Sequence, residues 1–365
     1  MDISEVVSEL NELLGQATGA DEEQRIISLL RSLEGADFGR AIAGVSLERM
    51  LSALDWRVWG PDVRADFLQM LERRAGDLDL DTKVHLINLL AQGKTSLGEE
   101  KVIAALFMSE TGQRLTELKL KVDTSSQGHD LLGTVTGDID SAELRTAIVE
   151  HFRISAVLPE DPSKRLVRVV SDIDDTLYSS LNDPRYPKGT LYKGVLELFG
   201  GVSDLPPVFL TARPELVAAM FERVTHWQLR KYGLETPTVL SGSLHGLMGH
   251  ERMAAQKAKN LTSYAALYPE FRFVFFGDSG QGDMALSETL LVAKSPIIER
   301  AFIHKLSDQH RGAQTSRPDI HLFNDYAEAA ERVFELGYIN ADQRDKVISL
   351  VRSVPDPNPP AKAIG

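Results

Sequence analysis

Along the first 152 residues apolar positions recur three and four apart, with polar residues between them, which is the pattern of amphipathic helices. "SEVVSELNELLG" (4–15) closes on Gly, and "DEEQRIISLLRSLEG" (21–35) opens on acids and carries Arg in its last turn, an order that suits the helix dipole. "GPDVRADFLQMLERRAG", "DTKVHLINLLAQG" and "DSAELRTAIVEHF" follow the same grammar. No fixed-period repeat accompanies them, so a bundle or irregular all-α domain is expected over 1–152, of unknown role. "RISAVLPEDPSKR" (153–165), with two prolines and mixed charge, reads as a linker.

From 166 the pattern changes. Short β-branched or aromatic runs, "LVRVV", "PPVFLT" and "FRFVFFGD", alternate with helical stretches such as "ELVAAMFERVTHWQLRKYG" and "MAAQKAKNLTSYAALY". Strands alternating with helices predict an α/β fold with a parallel, Rossmann-like sheet over 166–353. The Pro-rich end, 354–365, predicts a disordered tail.

Charge divides the chain at the same place. Of 53 acidic and 40 basic residues, 27 and 15 fall in 1–150, leaving 26 and 25 beyond. The acidic first part is repelled by nucleic acid and anionic lipid, while the near-neutral second part can admit an anionic substrate. Absence of cysteine rules out disulfides and thiolate metal sites. No apolar run approaches the roughly 18 residues of a membrane span, and the acidic N-terminus lacks the layout of a secretory signal. A cytoplasmic protein, peripheral to a membrane at most, is the expectation.

The chemistry gathers where predicted strands end. "LVRVVSDIDDTLY" puts Asp172, Asp174, Asp175 and Thr176 at the end of the first, "VFLTARP" puts Thr211 at the end of another, and "FVFFGDSGQGD" supplies Asp278 and Asp283. "AAQKAKNL" adds Lys257 and Lys259 on a helix. Ligands of an open parallel sheet bind at the carboxyl ends of its strands. Phosphoryl transfer to a carboxylate would use such a set. Asp172 and Asp278 suit a Mg²⁺ ion, which takes one or two carboxylates together with phosphate oxygen and water. Asp174 can serve as general acid and base. Thr211 and Lys257 can hold phosphate oxygens.

These motifs, in this order, resemble the four motifs of the haloacid dehalogenase superfamily. Within it, "SDIDDTLY", "FLTARPE", "QKAKN…YPEFRFVFFGDSGQGD" and "FNDYAEAAERVFELGYI" resemble the actin-patch phosphatidate phosphatases, distant relatives of the lipins, over about 165–340. The resemblance implies a Mg²⁺-dependent phosphatidate phosphatase working through an aspartyl-phosphate. It makes Asp172 the nucleophile, Asp174 the acid/base and, through its backbone carbonyl, a metal ligand, and Asp278 a further ligand. Thr211, Lys257 and Thr176 would hold phosphate, with Asp283 and Arg213 in support. The segment "YSSLNDPRYPKGTLYKG" departs from the family's loop, and the resemblance does not extend to the helical first half.

Plainer readings compete. "GDIDSAELR" reads as a capping box from Asp140 to Glu143, and "DLDLDTKVHL" as a helix start capped by Asp81. Lys257 is favoured over Lys259 by its distance to the "YP" before the last motif. Trp227 and Tyr232 could touch lipid, but Arg230 and Lys231 before Gly233 form an ordinary helix end. "LSGS" (240–243) offers backbone N–H groups or a turn, and His245 and His250 read as loop residues. Only 34 residues separate Thr176 from Thr211 and 45 separate Thr211 from Lys257, which leaves little for a large cap. An open site suits a phosphate carried on a lipid or another large phosphomonoester. The alternatives are a phosphatase of a phosphoprotein, inositol phosphate or soluble metabolite, and a non-catalytic module binding a phospholipid head group. The helical domain would supply a docking surface for a protein partner or a second copy.

Overall fold

In the computed structural model the runs that follow residue 165 become strands of one six-stranded sheet, β1 (Leu166–Asp172), β2 (Val208–Thr211), β3 (Thr238–Ser241), β4 (Phe271–Asp278), β5 (Arg300–His304) and β6 (Ile320–Phe323). The structure describes residues 2–15, 18–54, 62–125, 130–180, 182–211, 229, 231, 234, 237–241, 250–280, 282–292, 296–306 and 315–353. Arg213, Trp227, Arg230, Tyr232, His245 and the tail from 354 lie outside them.

Every pairing is parallel and the order is β3-β2-β1-β4-β5-β6. A parallel sheet is covered on both faces, which is why β4 reads, past Arg272, as a continuous apolar run rather than an alternating one. Val274 and Phe276 of β4 join Val169 of β1 and Phe302 of β5 in a core shared with helices Val195–Val202, Tyr326–Glu335 and Ala341–Arg352. Phe276 stacks on Phe302 at 4.9 Å and meets Phe199 at 4.8 Å. Phe273, of opposite parity, packs instead on Tyr264 of helix His250–Leu267. Burying each such side chain stabilises the fold by about 1.5–3 kcal/mol.

The strand order turns at β1. The chain runs outward through β2 and β3, then returns to place β4 on the other side of β1. At such a reversal the connections diverge and open a crevice at the carboxyl edge. Register sets the levels within it. Asp172 pairs with Leu210 and Ser171 with Phe276, so Thr211 and Asp278 each stand one residue beyond the level of Asp172.

Contacts divide the chain into two units, Met1–Val157 and Leu158–Gly365. Among the described residues the first unit holds helices and no strand. Its core includes Leu10, Ile26, Phe38, Phe67, Val102 and Phe107, all without exposure, with Phe107 edge-on to Phe152 at 5.3 Å. The last helix, Ala142–Ser155, extends three residues past the expected end of the domain, and a 3₁₀ turn at Pro162–Lys164 interrupts the expected linker.

Both caps proposed for this unit are corrected. Asp79, not Asp81, caps helix Leu80–Leu90 by accepting from the Thr82 N–H at 2.7 Å. Asp81 lies in the first turn and pairs with Lys121. Ser141, not Asp140, caps helix Ala142–Ser155, accepting from the Leu144 N–H. The backbone N–H groups of Asp140 and Ser141 are taken by the buried Glu100 carboxylate, at 2.9 and 3.0 Å. A carboxylate brought from another helix has displaced the local box. No helix among the described residues is long and apolar enough to cross a membrane.

Candidate functional site

Asp172 ends β1, Asp278 ends the adjacent β4, and Asp283 opens helix Asp283–Val292. One ligand atom from each lies within 4.8 Å of the others. Lys257, from helix His250–Leu267, reaches between two of them, with Nζ at 2.6 Å from Asp172 Oδ1 and 2.8 Å from Asp283 Oδ1. All four side chains are buried, whereas Lys259 is exposed. Residues two apart on a helix point in widely different directions, so only one lysine of the pair reaches the cluster.

The three carboxylates divide their work. Both Asp283 oxygens are occupied, one by Lys257 and the other by the Asp278 N–H at 3.2 Å. Asp278 Oδ1 accepts from the Gly280 N–H at 2.6 Å. What remains is Oδ2 of Asp172 and Oδ2 of Asp278, both buried and without a hydrogen-bond partner among the described residues. An unmet carboxylate oxygen in the interior is costly. Two of them on adjoining strands, among three acids and one ammonium, match the demand of a hard divalent cation for oxygen.

The electrostatics report the same imbalance. Burial pushes Asp172 up to about 7, with Lys257 opposing the shift and Asp283 and Asp174 adding to it. Burial raises Asp278 well above the carboxylate range, and the charges of Asp283 and Asp172 raise it further. For Lys257 burial acts against the ammonium, but Asp172 and Asp283 outweigh it and the lysine is held protonated. An ion pair alone would depress its carboxylate. Asp172 rises because burial, helped by the neighbouring acids, outweighs its one lysine.

Glycine is demanded beside the cluster. A Cβ on Gly277 would lie 2.7 Å from Asp283 Oδ2 and 2.8 Å from Asp283 Cβ. Gly277→Ala must displace the residue that holds Lys257. Overpacking of this kind costs typically about 1–3 kcal/mol, so urea unfolding is expected to show a loss of that size. A midpoint matching the native protein would contradict the packing.

The segment after β1 forms a compact loop. Asp175 adopts φ 63°, a left-handed conformation that Asp tolerates better than most residues. Its carboxylate accepts from the Ser180 and Asn182 N–H groups, both at 2.7 Å. Ser180 Oγ in turn donates to Asp174 Oδ1 at 2.7 Å. Thr176 is buried, with its hydroxyl lacking a partner among the described residues and its carbonyl accepting from Tyr326 at 2.6 Å. Thr211, at the end of β2, is buried at the same edge of the sheet.

No family model, no curated protein and no solved structure matches this chain.

The sequence-based reading missed the far side of this loop. Asp183 takes both arms of Arg185 at 2.8 Å and the Tyr192 hydroxyl at 2.8 Å. Arg185 Nη2 lies 3.1 Å from His304 Nε2, and His304 Nδ1 lies 3.2 Å from the Asp175 carbonyl. Nε2 also lies 3.2 Å from the Asn324 carbonyl, so the ring sits between one guanidinium and two carbonyls. Burial and the nearby guanidinium push His304 down to about 4, which favours the neutral ring. The stretch "NDPRYPKGTLY" holds only one Asp and one Arg, so nothing in it marked the pair. The partner on β5 is 119 residues away.

Proposed function

We propose that this chain is a Mg²⁺-dependent phosphomonoester hydrolase of the haloacid dehalogenase kind, acting on phosphatidate or a comparably presented phosphate. One observation carries the reading: Lys257 is clamped between Asp172 and Asp283 beside the unpartnered oxygens of Asp172 and Asp278.

In this reading a carboxylate oxygen of Asp172 attacks the phosphorus in line with the leaving oxygen. The P–O bond to the alcohol breaks, and Asp174 gives that oxygen its proton. The phosphoryl group then rests on Asp172 as an aspartyl-phosphate. Asp174, now ionised, takes a proton from the water that attacks the same phosphorus, releasing phosphate and restoring Asp172. Lys257 and Thr211 hold phosphate oxygens and offset the charge that develops on them. Asp172, Asp278 and the Asp174 backbone carbonyl would hold Mg²⁺, which when bound neutralises the acids and screens phosphate from them.

The lipid substrate rests on the resemblance of the motifs together with the short spacings that leave the site without a large cap. The test is phosphate release from dispersed phosphatidate and from an aryl phosphate, each with Mg²⁺ and with chelator. Mg²⁺-dependent release from phosphatidate is expected. Release from the aryl ester alone would retain the chemistry and discard the lipid, and release from neither would discard the hydrolase.

A further inference from the structure

We infer that Ser180 is a positioning residue for Asp174, fixing the carboxyl that protonates the leaving oxygen. The inference rests on the hydrolase reading above and deepens it. It stands on five hydrogen bonds. Ser180 Oγ donates to Asp174 Oδ1 at 2.7 Å, so one oxygen of that carboxyl is tied to the loop. The Ser180 backbone is itself fixed, because its N–H and that of Asn182 both donate to the Asp175 carboxylate. Asp175 is held in turn by its N–H to the Tyr178 carbonyl, 2.8 Å, and by His304 at its own carbonyl.

The order of these residues has a mechanical meaning. Asp174 lies past the end of β1, its backbone in an isolated bridge with Tyr178. A partly exposed carboxyl in a loop samples several rotamers, and a proton donor must stay within hydrogen-bond reach of the departing oxygen. Asp175 turns the chain through its positive φ and draws the backbone of Ser180 and that of Asn182 to its carboxylate. Ser180 is thereby delivered to Asp174, six residues earlier. The far end of the loop is anchored by Asp183, whose side chain is fully buried and bound by Arg185 and Tyr192. The hydroxyl is therefore presented from a fixed frame.

A role through Asp174 differs measurably from a merely structural one. An alkoxide leaves only if it is protonated, whereas 4-nitrophenolate leaves without help. Ser180→Ala should lower kcat on an alkyl phosphate by about 10- to 100-fold, a share of what general acid catalysis contributes. It should leave the pre-steady-state burst of nitrophenolate from 4-nitrophenyl phosphate unchanged. Ser180→Thr, which keeps the hydroxyl, should return the alkyl rate to within a few-fold of the native protein.

A loss in the nitrophenolate burst equal to the loss on the alkyl ester, or no loss on either, would overturn the positioning role while leaving the hydrolase standing. Failure of Thr to rescue an alanine defect would overturn it too. No release from either ester by the native protein would remove the hydrolase reading, and this inference with it.

Discussion

Asp172→Asn is expected to lower phosphate release at least about a thousandfold while making the metal-free protein more stable. The loss follows from chemistry: an amide oxygen is a poor nucleophile toward phosphorus, and removing the group that forms the covalent intermediate takes away the whole two-step route. The gain follows from the site's charge. Asp172 is pushed up to about 7 by burial, so holding it ionised at pH 8 works against folding. One pKa unit corresponds to about 1.4 kcal/mol, which makes the relief on the order of a few kcal/mol. Asparagine retains a carbonyl oxygen for Lys257, so the contact at 2.6 Å is kept in kind. Thermal unfolding in chelator at pH 8 and phosphate release in Mg²⁺ together check the pair. A variant that keeps native activity would remove Asp172 from the role of nucleophile. One that loses activity together with stability would point to simple misfolding.

The acids at the strand ends were readable because the sheet is parallel. Buried β1 and β4 appear as apolar runs, and an abrupt Asp at the end of each marks where the strand meets the crevice. What periodicity could not supply was the sheet order, which sets β4 rather than β5 beside β1. Four- and five-residue strands such as Ile320–Phe323 and Arg300–His304 carry too little pattern to stand out. The capping errors have a similar origin. Local sequence showed an acid before each helix but not the Glu100 carboxylate that arrives from 40 residues away. The Asp183–Arg185–His304 frame was hidden for the same reason, since its meaning depends on contacts across more than 100 residues.

Adding Mg²⁺ is expected to raise the unfolding temperature by roughly 5–10 °C at pH 8 and to have almost no effect at pH 5. A ligand present at 100 times its Kd stabilises by about 2.7 kcal/mol, and a domain of this size gains roughly 2–4 °C for each kcal/mol. The pH dependence follows from linkage. In the metal-free protein the folded Asp172 keeps its proton up to about 7, while the unfolded chain releases it near 3.8. The folded state thus binds more protons in that window, and stability falls as pH rises through it. Asp278, also raised by burial, acts in the same direction. His304 and His321, both pushed down to about 4 by burial, act oppositely, favouring the folded state as pH rises from about 4 to 6.5. These opposing slopes partly cancel in a single curve, but the histidine contributions drop out of the difference between curves with and without Mg²⁺. Below about pH 5 a proton occupies Asp172 and competes with the cation, and above about 7 the cation meets that carboxylate ionised. Asp278→Asn, which removes one of the two unpartnered oxygens, should abolish most of the difference. A Mg²⁺ effect of equal size at both pH values, or one that survives that substitution, would place the cation elsewhere.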